Sequence, residues 1–318
     1  MKLTQEQGAT LPSGAHTAQT AQNQASGAGG AFRRKFVERG ASVLFLLAAC
    51  ISVVAVLLIC VFMFANGLPA MRKIGLFDFL TGKRWAPVDV PAKYGIFPMI
   101  LGSVYITAGA VICGVPAGIL TAVFMAKYCP KKLYRLLSPA INLLAGIPSI
   151  VYGFFGMIVL IPFVRQNFGG NGNSILTASI LLGMMILPTV VAISENALRS
   201  VPKDYYEAAL ALGATKERAL IRIVIPAAKS GILAGIILAA GRAVGETMAV
   251  IKVAGNQARL PDSITDGVRT LTANIVSDMG YASGLHYDAL IATGVVLFVF
   301  ILIMNLSFSL ISAKSRRG

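Results

Sequence analysis

Two groups of residues in this 318-residue sequence combine types and spacings that can do work beyond folding. The first is Arg242, with Glu246 four positions on and Thr247 beside it, inside an apolar run from Gly231 to Ala254. A guanidinium offers a planar fork of donors suited to an oxyanion. A carboxylate one helical turn away would either temper that attraction or neutralise it as a structural pair. The second group is Glu207-Ala208-Ala209, followed at set distances by Gly213 and by Ile223-Val224-Ile225-Pro226, in the most charged part of the chain. Other chemistry is not written in the sequence. It has no Gly-x4-Gly-Lys-Ser/Thr loop to cradle nucleotide phosphates. It has no Ser/His/Asp, paired-Asp or metal-ligand spacing, so neither a catalytic nor a metal site is expected. His16 and His286 read as ordinary surface residues, and the four cysteines as small packing residues.

The elements that must position these groups are membrane helices. The chain is 56% hydrophobic and 13% charged, about half the charge usual for a soluble domain, and its apolar residues fall in blocks long enough to cross about 30 Å of hydrocarbon. An all-α membrane protein with six spans is expected, at 42–65, 97–126, 136–163, 175–194, 231–254 and 289–312. A basic tail over residues 1–41 should be unstructured, residues 42–312 form the membrane domain, and 313–318 are a short second tail. Ala145-Gly146-Ile147-Pro148 should kink or break the third span, because proline lacks a donor and clashes one turn back. The net charge of +15 does not point to nucleic acid. More than half of the 28 Lys and Arg lie in the two tails, the second-to-third loop and the central loop 195–230, which places both termini in the cytosol.

The central loop reads as two short helices. Asp204 with Glu207 fits a variant capping box, the first helix should cover about 205–212, and Gly213 suits the left-handed residue past its end. Tyr205, Ala208, Ala209 and Leu212 share a face of that helix by spacing. The second helix is expected from near Thr215 to just before Pro226. Helices this short gain little stability alone, so the loop either lies against another protein or caps its own bundle. Arg242 is expected midway along the fifth span, where an unpaired arginine costs about 2.5–3.5 kcal/mol.

Glu207-Ala208-Ala209-x3-Gly213-x9-Ile223-x-Ile225-Pro226 resembles the EAA motif of ABC importer permeases, with Ile225 where leucine is usual. The resemblance implies a MetI-like transmembrane domain whose coupling helix meets a cytosolic ATPase through Tyr205, Tyr206, Glu207, Ala208, Ala209, Leu212 and Gly213. Three further stretches, namely Trp85-Ala86-Pro87 with Tyr94-Gly95-Ile96, Ala145 to Gly156, and Gly241 to Thr247, are similar to the PstC-type permeases of phosphate-specific importers. That likeness covers residues 75–312 and implies a phosphate route past Arg242, Glu246 and Thr247. It further implies a PstA-type permease partner, two copies of an ATPase subunit that uses the ATP, and an extracytoplasmic phosphate-binding protein. The setting would be the lipid of a bacterial inner membrane, with no cofactor on this chain and no nucleic acid. A permease for sulfate or molybdate would share the coupling loop. An ion-coupled secondary transporter would leave that loop unexplained.

Overall fold

The computed structural model describes the backbone over residues 14–317 and the side chains over 39–307 together with Leu310. The first thirteen residues of the expected unstructured tail lie outside it. From Gly14 the backbone is helical, where an unstructured tail was expected up to residue 41. The Ala/Gln-rich stretch from Ala18 to Ala25 has the propensity for it.

Contacts divide the chain into two units, up to Phe62 and from Met63 onward. The first is the greater part of α1 (Gly14–Ile74), whose large side chains from Val43 to Phe62 are exposed and apolar. The second begins with the last turns of α1, which pack on the final helix of the chain. There follow α2 (Leu76–Thr81), the strands β1 (Trp85–Ala86) and β2 (Lys93–Tyr94), paired antiparallel with Trp85 opposite Tyr94, and α3 (Phe97–Val123). A π-turn over Phe124–Tyr128 extends α3, and Pro130 opens α4 (Lys131–Gly146). Next come α5 (Ser149–Phe155), a second π-turn, α6 (Ile161–Phe168) and α7 (Ile175–Ser200). The central loop holds α8 (Lys203–Ala211), α9 (Lys216–Ala219), a third π-turn over Leu220–Val224 and α10 (Ile225–Ala227). Finally come α11 (Lys229–Gly245), α12 (Met248–Val253), α13 (Leu271–Asp278) and α14 (Leu285–Arg317).

Among the described residues five helical stretches are long and apolar enough to cross a membrane, and the bent pair formed by α9–α10 and α11 passes the same test only if it is counted as one span. Two expected spans change shape. The third begins at Ser149 rather than at 136, because the chain is extended at Ile147 and Pro148 and α4 is a separate helix. The fifth is broken, because Glu246 is extended (φ −69°, ψ 131°) between α11 and α12.

Helix α7 is the hub, packed on both α3 and α11. Glycines set the approach on α3: a methyl at Gly114 would sit 2.6 Å from the Gly183 carbonyl, and one at Gly118 2.7 Å from Val190. Gly231 and Gly235 bring α11 onto Ala197 and Ile193 in the same way. The pattern repeated at Gly241 and Gly245 makes no such close approach: a methyl at Gly241 would lie 3.8 Å from Asn305 Oδ1, and one at Gly245 would meet nothing within 4 Å.

Candidate functional site

The α8 segment is built to stay put while offering one face. Its cap position is Pro202, whose fixed φ suits a helix entry. Asp204 lies inside the first turn and no side chain caps the helix, so the expected capping box does not form. At the other end Gly213 takes φ +85°. Its amide donates to the Leu210 carbonyl at 2.9 Å and the Ala214 amide to Ala209 at 3.1 Å, the bond pair of a Schellman end. Ala209 is buried and Tyr206 packs on the core around Leu198 and Leu220, so these two anchor α8 rather than present themselves. Tyr205, Glu207, Ala208, Leu212 and Gly213 are exposed, Leu212 to 90%. An open groove of about 260 Å³ lies between Tyr205 and the start of α11. Thr215 caps α9 by accepting from the Arg218 amide at 3.3 Å. The second helix then runs through Pro226 to Ala227, beyond the expected end, by way of the π-turn over Leu220–Val224 that precedes the proline.

The second site is a meeting of two broken helices. Glu246 does not pair with Arg242: its carboxylate accepts from the Thr247 amide at 3.1 Å and the Ala249 amide at 3.2 Å, supplying the first free donors of α12. The expected one-turn pair fails because the helix ends between the two residues. Arg242 stands exposed in the last turn of α11 and, among the described residues, has no ion pair within 4.0 Å. Its charge reaches Tyr152 on α5, whose hydroxyl donates to the last-turn carbonyl of Leu144 at 3.0 Å and so holds the α4–α5 break. Helix α5 packs on α12, with Gly153 against Ala249 and Lys252. The Lys252 ammonium lies 5.7 Å over the Phe154 ring. Thr247 hydrogen bonds back to the Gly245 carbonyl at 3.2 Å. Beside the α4–α5 break an apolar cavity of about 370 Å³ is lined by Ile147, Tyr152, Phe155 and Met184. The arrangement presents a guanidinium with no ion pair among the described residues at the α11–α12 break, and a second cation, Lys252, in the last turn of α12 where that helix packs on α5. Sequence reasoning singled out Arg242, Glu246 and Thr247 but missed Tyr152, Lys252 and Phe154, which only the packing of α5 on α12 brings in.

At the far end of α3 the Trp85 segment is tied down by Asp278. The indole Nε1 donates to Asp278 Oδ2 at 3.0 Å, and Arg269 Nη1 lies 3.4 Å from Oδ1. The Tyr281 hydroxyl also donates to Oδ1, at 2.7 Å, and this bond, with partial desolvation and the carboxylate's charge, pushes its titration above the usual tyrosine range. His286 is no surface residue: its side chain is 12% exposed, its ring is 5.8 Å from that of Trp85, and Nε2 is 3.4 Å from Asp278 Oδ2. The cause is the early start of α14 at Leu285, which turns His286 inward.

Residues 114–317 match the family described as "Binding-protein-dependent transport system inner membrane component". A relative from Bacillus subtilis, "Probable ABC transporter permease protein YqgH", is 38% identical over 266 residues, 81% of this chain and 86% of that one. "Phosphate transport system permease protein PstC" of Mesorhizobium japonicum is 36% identical over 279 residues, 80% of this chain and 84% of the relative. Among solved structures, a bacterial alginate ABC transporter in complex with an alginate pentasaccharide-bound periplasmic protein superposes with TM-score 0.61 at 16% identity, covering 85% of this chain and 94% of that one. An inward-facing MetNI methionine ABC transporter gives TM-score 0.53 at 22% identity, over 70% of this chain and 94% of the other. With an exposed, sharply terminated α8, a hub helix seated on glycines and this sequence match, the chain belongs to the binding-protein-dependent transport system inner membrane components.

Proposed function

We propose that this chain is the permease subunit of an ABC importer that carries inorganic phosphate across a bacterial inner membrane, both termini in the cytosol. The observation that carries the substrate reading is Arg242, an exposed guanidinium without an ion-pair partner among the described residues, beside the α11–α12 break. A phosphate oxyanion would take its fork of donors, while Glu246, committed to the α12 amides, tempers the local field without blocking the site. Thr247 places a hydroxyl at the same break. Identities above 30% to phosphate permeases over most of the chain support phosphate over other oxyanions.

The outward face of α8, with Tyr205, Glu207, Ala208, Leu212 and Gly213, is the contact for a cytosolic ATPase subunit that binds and hydrolyses the ATP. Tyr206 and Ala209 hold that helix in place. Two ATPase copies, a PstA-type permease and an extracytoplasmic phosphate-binding protein complete the importer. The test is uptake of phosphate and of sulfate, side by side, in cells lacking this chain and in the same cells with it restored. Restoration of phosphate uptake alone is expected. Restoration of sulfate uptake instead would overturn the substrate reading and leave the permease role standing.

A further inference from the structure

Arg199, in the last turn of α7, joins elements that the chain leaves far apart. The π-turn at the end of α3 shifts the hydrogen-bond ladder by one residue, so the Cys129 amide donates to the Phe124 carbonyl at 2.8 Å. The Met125 carbonyl therefore loses its usual partner, and the residue five positions on is Pro130, which has no N–H. A buried carbonyl left in that state is costly. Arg199 Nη2 supplies the missing donor at 3.0 Å.

The same guanidinium is used twice more. Its Nε donates to Glu195 Oε1 at 2.7 Å, a carboxylate only 9% exposed. Its face lies over the Tyr134 ring of α4, 4.8 Å from the centroid. One planar group thus binds α3, α4 and α7 through two directed bonds and a stacked face, which an ammonium would not do at once. From the π-turn it holds, Lys127 reaches over the Tyr206 ring of α8 at 5.7 Å. The apolar core here, with Leu198, Leu220 and Val224, gives cohesion but little direction.

We propose that Arg199 is a positioning residue for transport: it makes the ends of α3, α4 and α7 move as one body with α8. Displacement of α8 by a docked partner then passes through Tyr206 and Lys127 to the π-turn, and through Arg199 to the three helices. This rests on the reading of α8 as the ATPase contact.

The test uses the complete importer in proteoliposomes, with phosphate uptake and ATP hydrolysis measured on one preparation, with and without binding protein. Arg199→Lys keeps the charge and loses the three-way grip. Lys127→Met cuts the link to α8 without touching the buried Glu195. Both variants should assemble and keep basal hydrolysis within about twofold, while phosphate moved per ATP and stimulation by binding protein fall about tenfold. Unchanged coupling in both variants overturns the proposal, as does a parallel loss of hydrolysis and uptake at a constant ratio. If Arg199→Lys does not assemble, Lys127→Met decides by the same ratios. Stimulation by binding protein does not depend on the cargo being phosphate. An unaltered importer that is stimulated yet moves no phosphate would therefore count against the substrate alone.

Discussion

A carboxylate that accepts from two backbone amides is poorly placed to neutralise a guanidinium, and Glu246 is such a carboxylate. Removing it should act on α12 first. Glu246→Ala strands the Thr247 and Ala249 amides and should cost about 1 kcal/mol, as loss of a helix cap does, read as a lower melting temperature in detergent. Glu246→Gln keeps an acceptor in place and should melt close to the unaltered chain. Arg242 behaves differently, because it is exposed and has no ion pair among the described residues. Arg242→Lys should assemble normally yet take up at least about tenfold less phosphate, since the charge stays and the fork is lost. Arg242→Ala/Glu246→Ala should not recover uptake, because the two residues are not a self-cancelling pair. Recovery to near-normal uptake would remove Arg242 from the phosphate route. At the opposite end, Tyr281 donates to the Asp278 carboxylate, so the folded chain holds that phenolic proton more tightly than the unfolded one. Its stabilising contribution should be complete below the unfolded pKa of about 10 and fade as pH rises through the higher folded value. The difference in phenolate absorbance between the unaltered chain and Tyr281→Phe should titrate above the ordinary tyrosine range.

At the scale of elements, two glycines give opposite forecasts from their surroundings. Gly213 has φ +85° and open space around a would-be Cβ, so only backbone strain limits substitution there. Gly213→Asn should be close to neutral, because asparagine tolerates this region, whereas Gly213→Val should cost about 1–2 kcal/mol or more and misplace the end of α8. Uptake should fall in the valine variant while insertion in the membrane is retained. Gly114 is the reverse case, ordinary in backbone but with the Gly183 carbonyl 2.6 Å from an added methyl. Gly114→Ala should prise α3 from α7 and cost about 1–3 kcal/mol, as overpacking does. Gly245→Ala, with nothing within 4 Å, should meet no such clash.

Much of this was legible beforehand. The apolar blocks announce α3 and α7, the Gly213 stop was readable from residue type, and Ala145 to Pro148 signalled the break after α4. The break at Glu246 was not legible, because hydropathy runs on through it and only the bonds to the Thr247 and Ala249 amides reveal a new helix start. The grip of Asp278 on Trp85 was equally hidden, since its partners lie 193 residues apart. Which side of α8 turns inward was not legible from spacing, because Tyr206 and Ala209 pack into the core while Tyr205 and Leu212 stay out.

For the molecule as a whole, the question is whether the bent pair of α9–α10 and α11, turned by 67°, counts as a crossing. If it does, six spans bring both ends of the chain to one side. If it is re-entrant, five spans leave them on opposite sides. The backbone gives a strong reason for a crossing. Helix α7 covers 26 residues, about 39 Å at 1.5 Å per residue, and α8 follows directly at its far end. Yet by residue 266 the chain is back at the beginning of α7: the Ser174 amide donates to Val253, Ile175 to Asp266 and Leu176 to Ile264, each at 3.0 Å. α11 and α12, break included, therefore travel the full length that α7 travelled. Cysteines at three exposed positions, in a chain freed of its own four, test this directly. Asn171 precedes α7, Lys216 begins α9, and Arg259 follows α12. In intact cells an impermeant maleimide should label Asn171→Cys and Arg259→Cys and spare Lys216→Cys, and inverted vesicles should reverse the pattern. Labelling of Arg259→Cys on the same side as Lys216→Cys would make the bent pair re-entrant and put the two ends of the chain on opposite sides of the membrane.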